Sequence, residues 1–376
     1  MFTGIASAQN VPQKDQMSTA AERNNKGIRV STLTAAIARN NEGVRLATEG
    51  HDAEAEQSYR DALDAACDDD LLRSNIANNL GALYQRQERY PDAERTFRAA
   101  LEWRQRNLSA ASTEVAYSLH NLAEVYRIEG RDWEARNLLE TAVQHLQESH
   151  ADAPGLAIML TNLASMLCRF NQFDQAEELL RSALIFYDKH QQAASRGYGV
   201  VLNNLGQILE MKNDLESAGS LYEQAVGIFE NLGDEGRTDL ASTLANLGAF
   251  YQRLDRVTEA RQAEQRALEL LHPEGDTLLH AQILRNLGNI VAKAGNPIDA
   301  LPYFEHSLDI QEKTVGADHP EMASLLLDYA SATQRAGSKP LSRKLRKRAQ
   351  ELLARLSRIS SPGQMTVSLR DLRDLK

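Results

Sequence analysis

Residues 79–100 read NLGALYQRQERYPDAERTFRAA, and their internal spacing decides the fold. Gly81 is followed by Ala93 twelve positions later and by Ala100 seven beyond that. Around the glycine, Leu80, Leu83 and Tyr84 recur at helical spacing. Glu88, seven residues past Gly81, stands where that helix should stop, and Ala93 and Ala100 then share one stripe of a second helix. Small side chains on both helices let the two approach closely.

The same pattern returns along the chain. Asn-Leu-Gly or Asn-Leu-Ala begins at Asn79, Asn121, Asn162, Asn204, Asn246 and Asn286, at spacings of 42, 41, 42, 42 and 40 residues. Degenerate copies lie at Asn41-Glu42-Gly43 and Asp328-Tyr329-Ala330. The small-residue pairs are 43/55, 81/93, 123/135, 164/176, 206/218, 248/260, 288/300 and 330/342, eight copies without an insertion inside the motif. The expected helix stops are Gly50, Glu88, Gly130, Asn171, Asn213, Asp255, Gly295 and Gly337, mostly types that tolerate the left-handed conformation closing a helix. One helical hairpin cannot bury its apolar face alone, so neighbouring copies must stack into a solenoid.

Composition narrows the function classes. The 376 residues are 42% apolar and 25% charged, enough for a sizeable core. No apolar run approaches the ~18 residues that suggest a membrane span. Two cysteines, Cys67 and Cys168, exclude a disulfide scaffold and a thiolate zinc site. The net charge is −10, with residues 339–376 at +8 (11 basic, 3 acidic) and the first 338 at −18. An acidic body is a poor surface for phosphate backbones.

The repeat resembles the tetratricopeptide repeat, in which Leu-Gly/Ala, an aromatic three residues later and two alanines in the second helix define each motif. Tyr84, Tyr126 and Tyr251 supply the aromatic here, and Leu46, Leu167, Leu209, Val291 and Thr333 replace it elsewhere. The period near 42 is similar to the longer variant of kinesin light chains and many bacterial proteins, and Gly316-Ala317-Asp318-His319-Pro320 looks like its inter-repeat linker. The resemblance implies an all-α, right-handed superhelical solenoid of about eight hairpins over residues 31–358. A flexible segment is expected over 1–30 and a tail over 359–376. Ala6-Ser7-Ala8 has no basic or apolar region before it, so it is no signal peptide as written. The expected compartment is the cytoplasm, or outside the cell if translation starts upstream.

Chemistry-bearing motifs are missing. There is no phosphate-cradling glycine loop, His-Glu-x-x-His, CxxC or Gly-x-Ser-x-Gly. His145/His150 and His272/His280 lack helical metal spacing, and Cys168 reads as a half-buried thiol. No cofactor or metal is expected.

Two rows remain. Asn79, Asn121, Asn162, Asn204, Asn246 and Asn286, with Asn41 and Asp328, stand two residues before each small residue. Asn is an indifferent helix former, so a repeated Asn needs a reason. Either it fixes the stacking through a neighbouring helix, or it faces the groove and holds a peptide backbone with its paired donors and acceptor. The second row lies five residues after each small residue and includes Arg86, Arg169, Arg253, Lys293 and Arg335; Arg127 is one position early. Either its cations answer the dipole of their own helix C-termini, or they select carboxylates. The resemblance implies that both rows line the concave face. The last second-helix, with Lys339, Arg343, Lys344, Arg346, Lys347 and Arg348, is a polar end cap or a surface for an anionic partner.

The expected function is a non-catalytic interaction scaffold. It would bind a protein or an extended, acidic peptide segment along those rows, not nucleic acid, and without integral membrane association. The alternative is a peptide-responsive regulatory sensor acting through a separate output partner.

Overall fold

The computed structural model describes residues 14–359 except 67–68, 150–154, 272–276, 317–318 and 320, with side chains over 30–355 apart from 321. Cys67, His150, His272, Ala317, Asp318, Pro320, residues 1–13 and the tail from 360 lie outside that set. The described residues form sixteen α-helices, one 3₁₀ turn and no strand. The chain divides into two compact units at residues 159/160.

The first unit holds α1 (Lys14–Thr48), α2 (Asp52–Ala65), α3 (Asp70–Arg86), α4 (Tyr90–Asn107), α5 (Thr113–Ile128) and α6 (Asp132–Glu148). Helix α7 (Gly155–Arg169) begins in it and runs into the second. Helix α1 starts inside the segment expected to be flexible, where Lys14, Gln16, Met17, Ala20, Ala21 and Glu22 are strong helix formers. Hairpins α1–α2, α3–α4 and α5–α6 each pack internally and against their neighbours.

The second unit continues with α8 (Phe173–Lys189), α9 (Arg196–Met211), α10 (Leu215–Asn231), α11 (Arg237–Arg253), α12 (Val257–Leu270), α13 (Leu278–Lys293), α14 (Pro297–Thr314), α15 (Glu321–Arg335) and α16 (Lys339–Ile359). Successive helices pack in pairs from α9 to α16, and the first helices of adjacent hairpins (α9, α11, α13, α15) touch directly.

Each hairpin closes at its small residue. A Cβ added to Gly81 would stand 2.7 Å from the Phe97 ring, and one on Gly43 2.6 Å from Tyr59. Gly206 meets Tyr222 and Gly288 meets Phe304 in the same way, each at 3.0 Å. Where the small residue is Ala123 or Ala164, the residue sixteen positions on is the smaller Leu139 or Leu180, fully buried. Volume is conserved across the contact, as close packing requires.

All eight expected helix stops adopt positive φ, from 58° at Asn171 to 92° at Gly295. The following N–H turns back to the carbonyl five residues earlier: Arg89 to Tyr84 (2.9 Å), Arg131 to Tyr126 (2.8 Å), Arg256 to Tyr251 (2.9 Å). This is the Schellman closure, and it starts the second helix at once. The same three arginines lie over the rings of Tyr84, Tyr126 and Tyr251 at 4.3, 3.7 and 4.3 Å. Glu88 is the costliest of the eight, since its side chain gains nothing locally from φ of 59°. Glu88→Gly should therefore stabilise the fold by about 0.5–1 kcal/mol, read as a higher urea midpoint at unchanged m-value.

Candidate functional site: the first-helix face

The asparagine row sits half-buried on the first helices, and the amides of Asn79, Asn121, Asn204, Asn246 and Asn286 are joined to the preceding repeat. In the first unit Asn79 Nδ2 donates to Asn40 Oδ1 (3.0 Å) and Asn121 Nδ2 to Asn78 Oδ1 (2.7 Å). In the second, Asn246 Nδ2 donates to Asn203 Oδ1 (3.0 Å), and Arg285 Nε to the carboxylate of Asp328 (2.6 Å). One geometry recurs: the residue just before the row in one repeat binds the row residue of the next. Asn204 instead lies 3.5 Å from Ser165 Oγ, and the residue before Asn162 is Thr161 rather than Asn. Ala245 has no polar side-chain atom to offer, and Asn286 donates to Glu264 Oε1 (2.7 Å). Asn162 is half-buried in α7.

The basic row behaves differently from repeat to repeat. Arg86 donates to the carbonyl of Ala47 (2.8 Å) in the last turn of α1 and pairs with Asp52. Arg253 does the same one unit later, to the carbonyl of Glu210 (2.8 Å) in the last turn of α9 and to Asn213 Oδ1 (3.1 Å). These guanidinium groups cap the preceding repeat's first helix, whose last carbonyls have no helical partner. Arg127 pairs with Glu124 on its own helix (3.0 Å), and Arg169 is exposed at the end of α7.

Lys293 and Arg335 differ. Both are exposed, and neither has an ion pair or hydrogen bond among the described residues. They border a cleft of about 290 Å³ on α11, α13 and α15, with Gln252, Asn289, Asp328 and Ser331. Asp328 is already neutralised by Arg285 and accepts from Asn289 (3.1 Å). Two uncommitted cations therefore stand beside amide and hydroxyl groups, a set suited to an anion with several acceptor atoms.

Burial pushes the Cys168 thiol up, away from reactive thiolate, and His120 down, towards the neutral imidazole. Among the described residues no three His, Cys, Asp or Glu side chains gather to hold a metal, and no helix is long and apolar enough to cross a membrane. On α16, Leu345, Ala349 and Leu352 are buried, Arg348 pairs with Glu312, and Lys339, Arg343, Lys344 and Lys347 are exposed.

The sequence reading found both rows and missed the partners. The doublets Asn40-Asn41, Asn78-Asn79 and Asn203-Asn204 were the available signal.

Tetratricopeptide repeat profiles match residues 72–148, 197–271 and 279–355, and a second profile of that repeat matches 156–189. The chain belongs to the tetratricopeptide repeat family. No curated protein sequence matches it. Among solved structures, the apo quorum sensor NprR of B. thuringiensis is 13% identical, with 89% of this chain and 99% of that one covered at a TM-score of 0.65. A Rap protein complexed with Competence and Sporulation Factor is 15% identical over 87% and 99%, at 0.56. A putative kinesin light chain of Podosopora anserina with nearly identical repeats is 19% identical over 55% and 100%, at 0.44.

If the rungs hold the stack, Asn246→Ala and Asn203→Ala should each destabilise by about 1–2 kcal/mol. The double variant should cost clearly less than the sum, a coupling that urea unfolding of the four proteins measures.

Proposed function

We propose that the chain is a non-catalytic interaction scaffold that holds an extended partner segment along its first helices. An acidic group of the partner sits between Lys293 and Arg335. The observation that carries this reading is the cleft on α11, α13 and α15, where these two cations remain uncommitted while Arg86 and Arg253 are spent on capping. Because the row amides bind within the stack through Nδ2, the amide oxygens of Asn246 and Asn286 are left for a partner's backbone N–H. The cleft supplies charge and donors for holding an anion, not a nucleophile with its base.

The sensor reading has one observation in its favour: the likeness to NprR and to the Rap complex runs over most of the chain. A change in small-angle scattering on saturation with a partner segment separates a sensor from a passive scaffold.

Panning a displayed random-peptide library tests the main reading. Clones recovered on the wild type should be enriched in Asp, Glu or a free C-terminus, and should lose at least tenfold in affinity for a Lys293→Glu/Arg335→Glu variant with unchanged circular dichroism. Recovery of neutral clones, or equal binding to both proteins, would place recognition elsewhere.

A further inference from the structure

Glu264 breaks the packing rule of the fold. It lies sixteen residues after Gly248, the position held by Tyr59, Phe97, Leu139, Leu180, Tyr222 and Phe304 in six other repeats and by the half-buried Arg346 in the last. Its residue exposure is zero. A Cβ on Gly248 would stand 2.7 Å from Glu264 Cγ and from Oε1, so the carboxyl fills the space of a ring. Oε1 accepts from Asn286, and Oε2 is buried without a partner. A carboxylate with one hydrogen bond and no cation is very costly inside a protein.

The surroundings offer no counter-charge. On α11, Arg237 donates to the Leu270 carbonyl, Asp239 pairs with Arg196 and Arg253 caps α9. On α13, His280 is buried, Arg285 pairs with Asp328 and Lys293 borders the cleft. On α12 itself, Glu259 pairs with Arg256 and Arg266 with Glu230, while Arg261 is half-buried and Glu269 exposed. None of these groups influences Glu264. Burial alone drives its pKa, against the Asn286 bond, from an ordinary 4.5 up to about 9.

We propose that the junction between α12 and α13 is a proton-held joint: neutral Glu264 bridges the two helices through Asn286, and ionisation releases α13. The position supports a joint as well as a burial defect. Ala245 leaves this junction without the rung that joins other repeats, so the Glu264–Asn286 bond takes over that link. Asn289 and Lys293, one and two turns further along α13, border the cleft, so the joint moves groups that face it.

The sign follows from linkage. Glu264 is protonated when the joint is closed and free to ionise at its ordinary value when it is open. Opening therefore grows about tenfold per pH unit between pH 4.5 and 9, and levels off above.

Hydrogen exchange read by mass spectrometry, corrected for intrinsic rates, tests this on the full chain. From pH 6 to 8, opening of α12–α13 peptides should rise about 100-fold in the wild type, while α3–α4 peptides stay flat. Glu264→Gln should abolish the rise. Should that variant fail to fold, Glu264→Leu, matching Leu139 and Leu180, serves in its place. A flat wild-type profile, the same slope in the variant, or an equal rise throughout the chain would each overturn the proposal.

Discussion

Everything in this fold depends on how closely two helices can cross at one small residue. The glycine at 43, 81, 206 or 288 lets an aromatic ring lie against bare backbone, and alanine at 123 or 164 leaves room for leucine. Within each hairpin this contact fixes the depth at which the helices meet, and the depth fixes which side chains remain half-exposed. The asparagines stand two residues before the crossing, so they lie at its edge. There they are too buried to be idle and too shallow to be core.

That edge position explains the division of labour along the first helices. A buried amide must be satisfied, and the neighbouring repeat offers the nearest acceptor, one residue out of register. The basic residues stand five beyond the crossing, where the previous repeat's helix ends in orphan carbonyls. Arg86 and Arg253 reach those carbonyls, and their charge also suits that end of the helix dipole. Lys293 and Arg335 remain at the surface of the last repeats with charge to spend.

The period, the hairpin and the eight left-handed positions were readable because they rest on local chemistry: small residues at fixed spacing and, at all the stops but Glu88, Gly, Asn or Asp where φ turns positive; Glu88 was placed by spacing alone. The rungs were harder. They join residue n−1 of one repeat to residue n of the next, so a scan for identical positions shows the row and hides its partner. Asn78 before Asn79 and Asn203 before Asn204 look like incidental polar neighbours until the helices are stacked. Glu264 was unreadable for another reason. Its abnormality lies in occupying a ring position, and that position becomes visible only once Gly248 is seen pressing on it. The competition for Arg86 and Arg253 by backbone carbonyls likewise has no sequence signature, since a carbonyl belongs to every residue.

The rungs also give the repeats an order. A bond between n−1 and n belongs to two successive repeats at once, so neither carries its own partner. The repeat with Asn203 can be followed by one with Asn246, and the repeat with Arg285 needs an acid such as Asp328 above it. Exchanging the repeats whose motifs begin at Asn246 and Asp328 would keep every helix, every turn and the Gly–ring contact inside each hairpin. It would nevertheless set Arg285 against Asn246. Sequence similarity among the repeats hides a grammar of neighbours, and duplication of a repeat copies its shape without copying its place in the line.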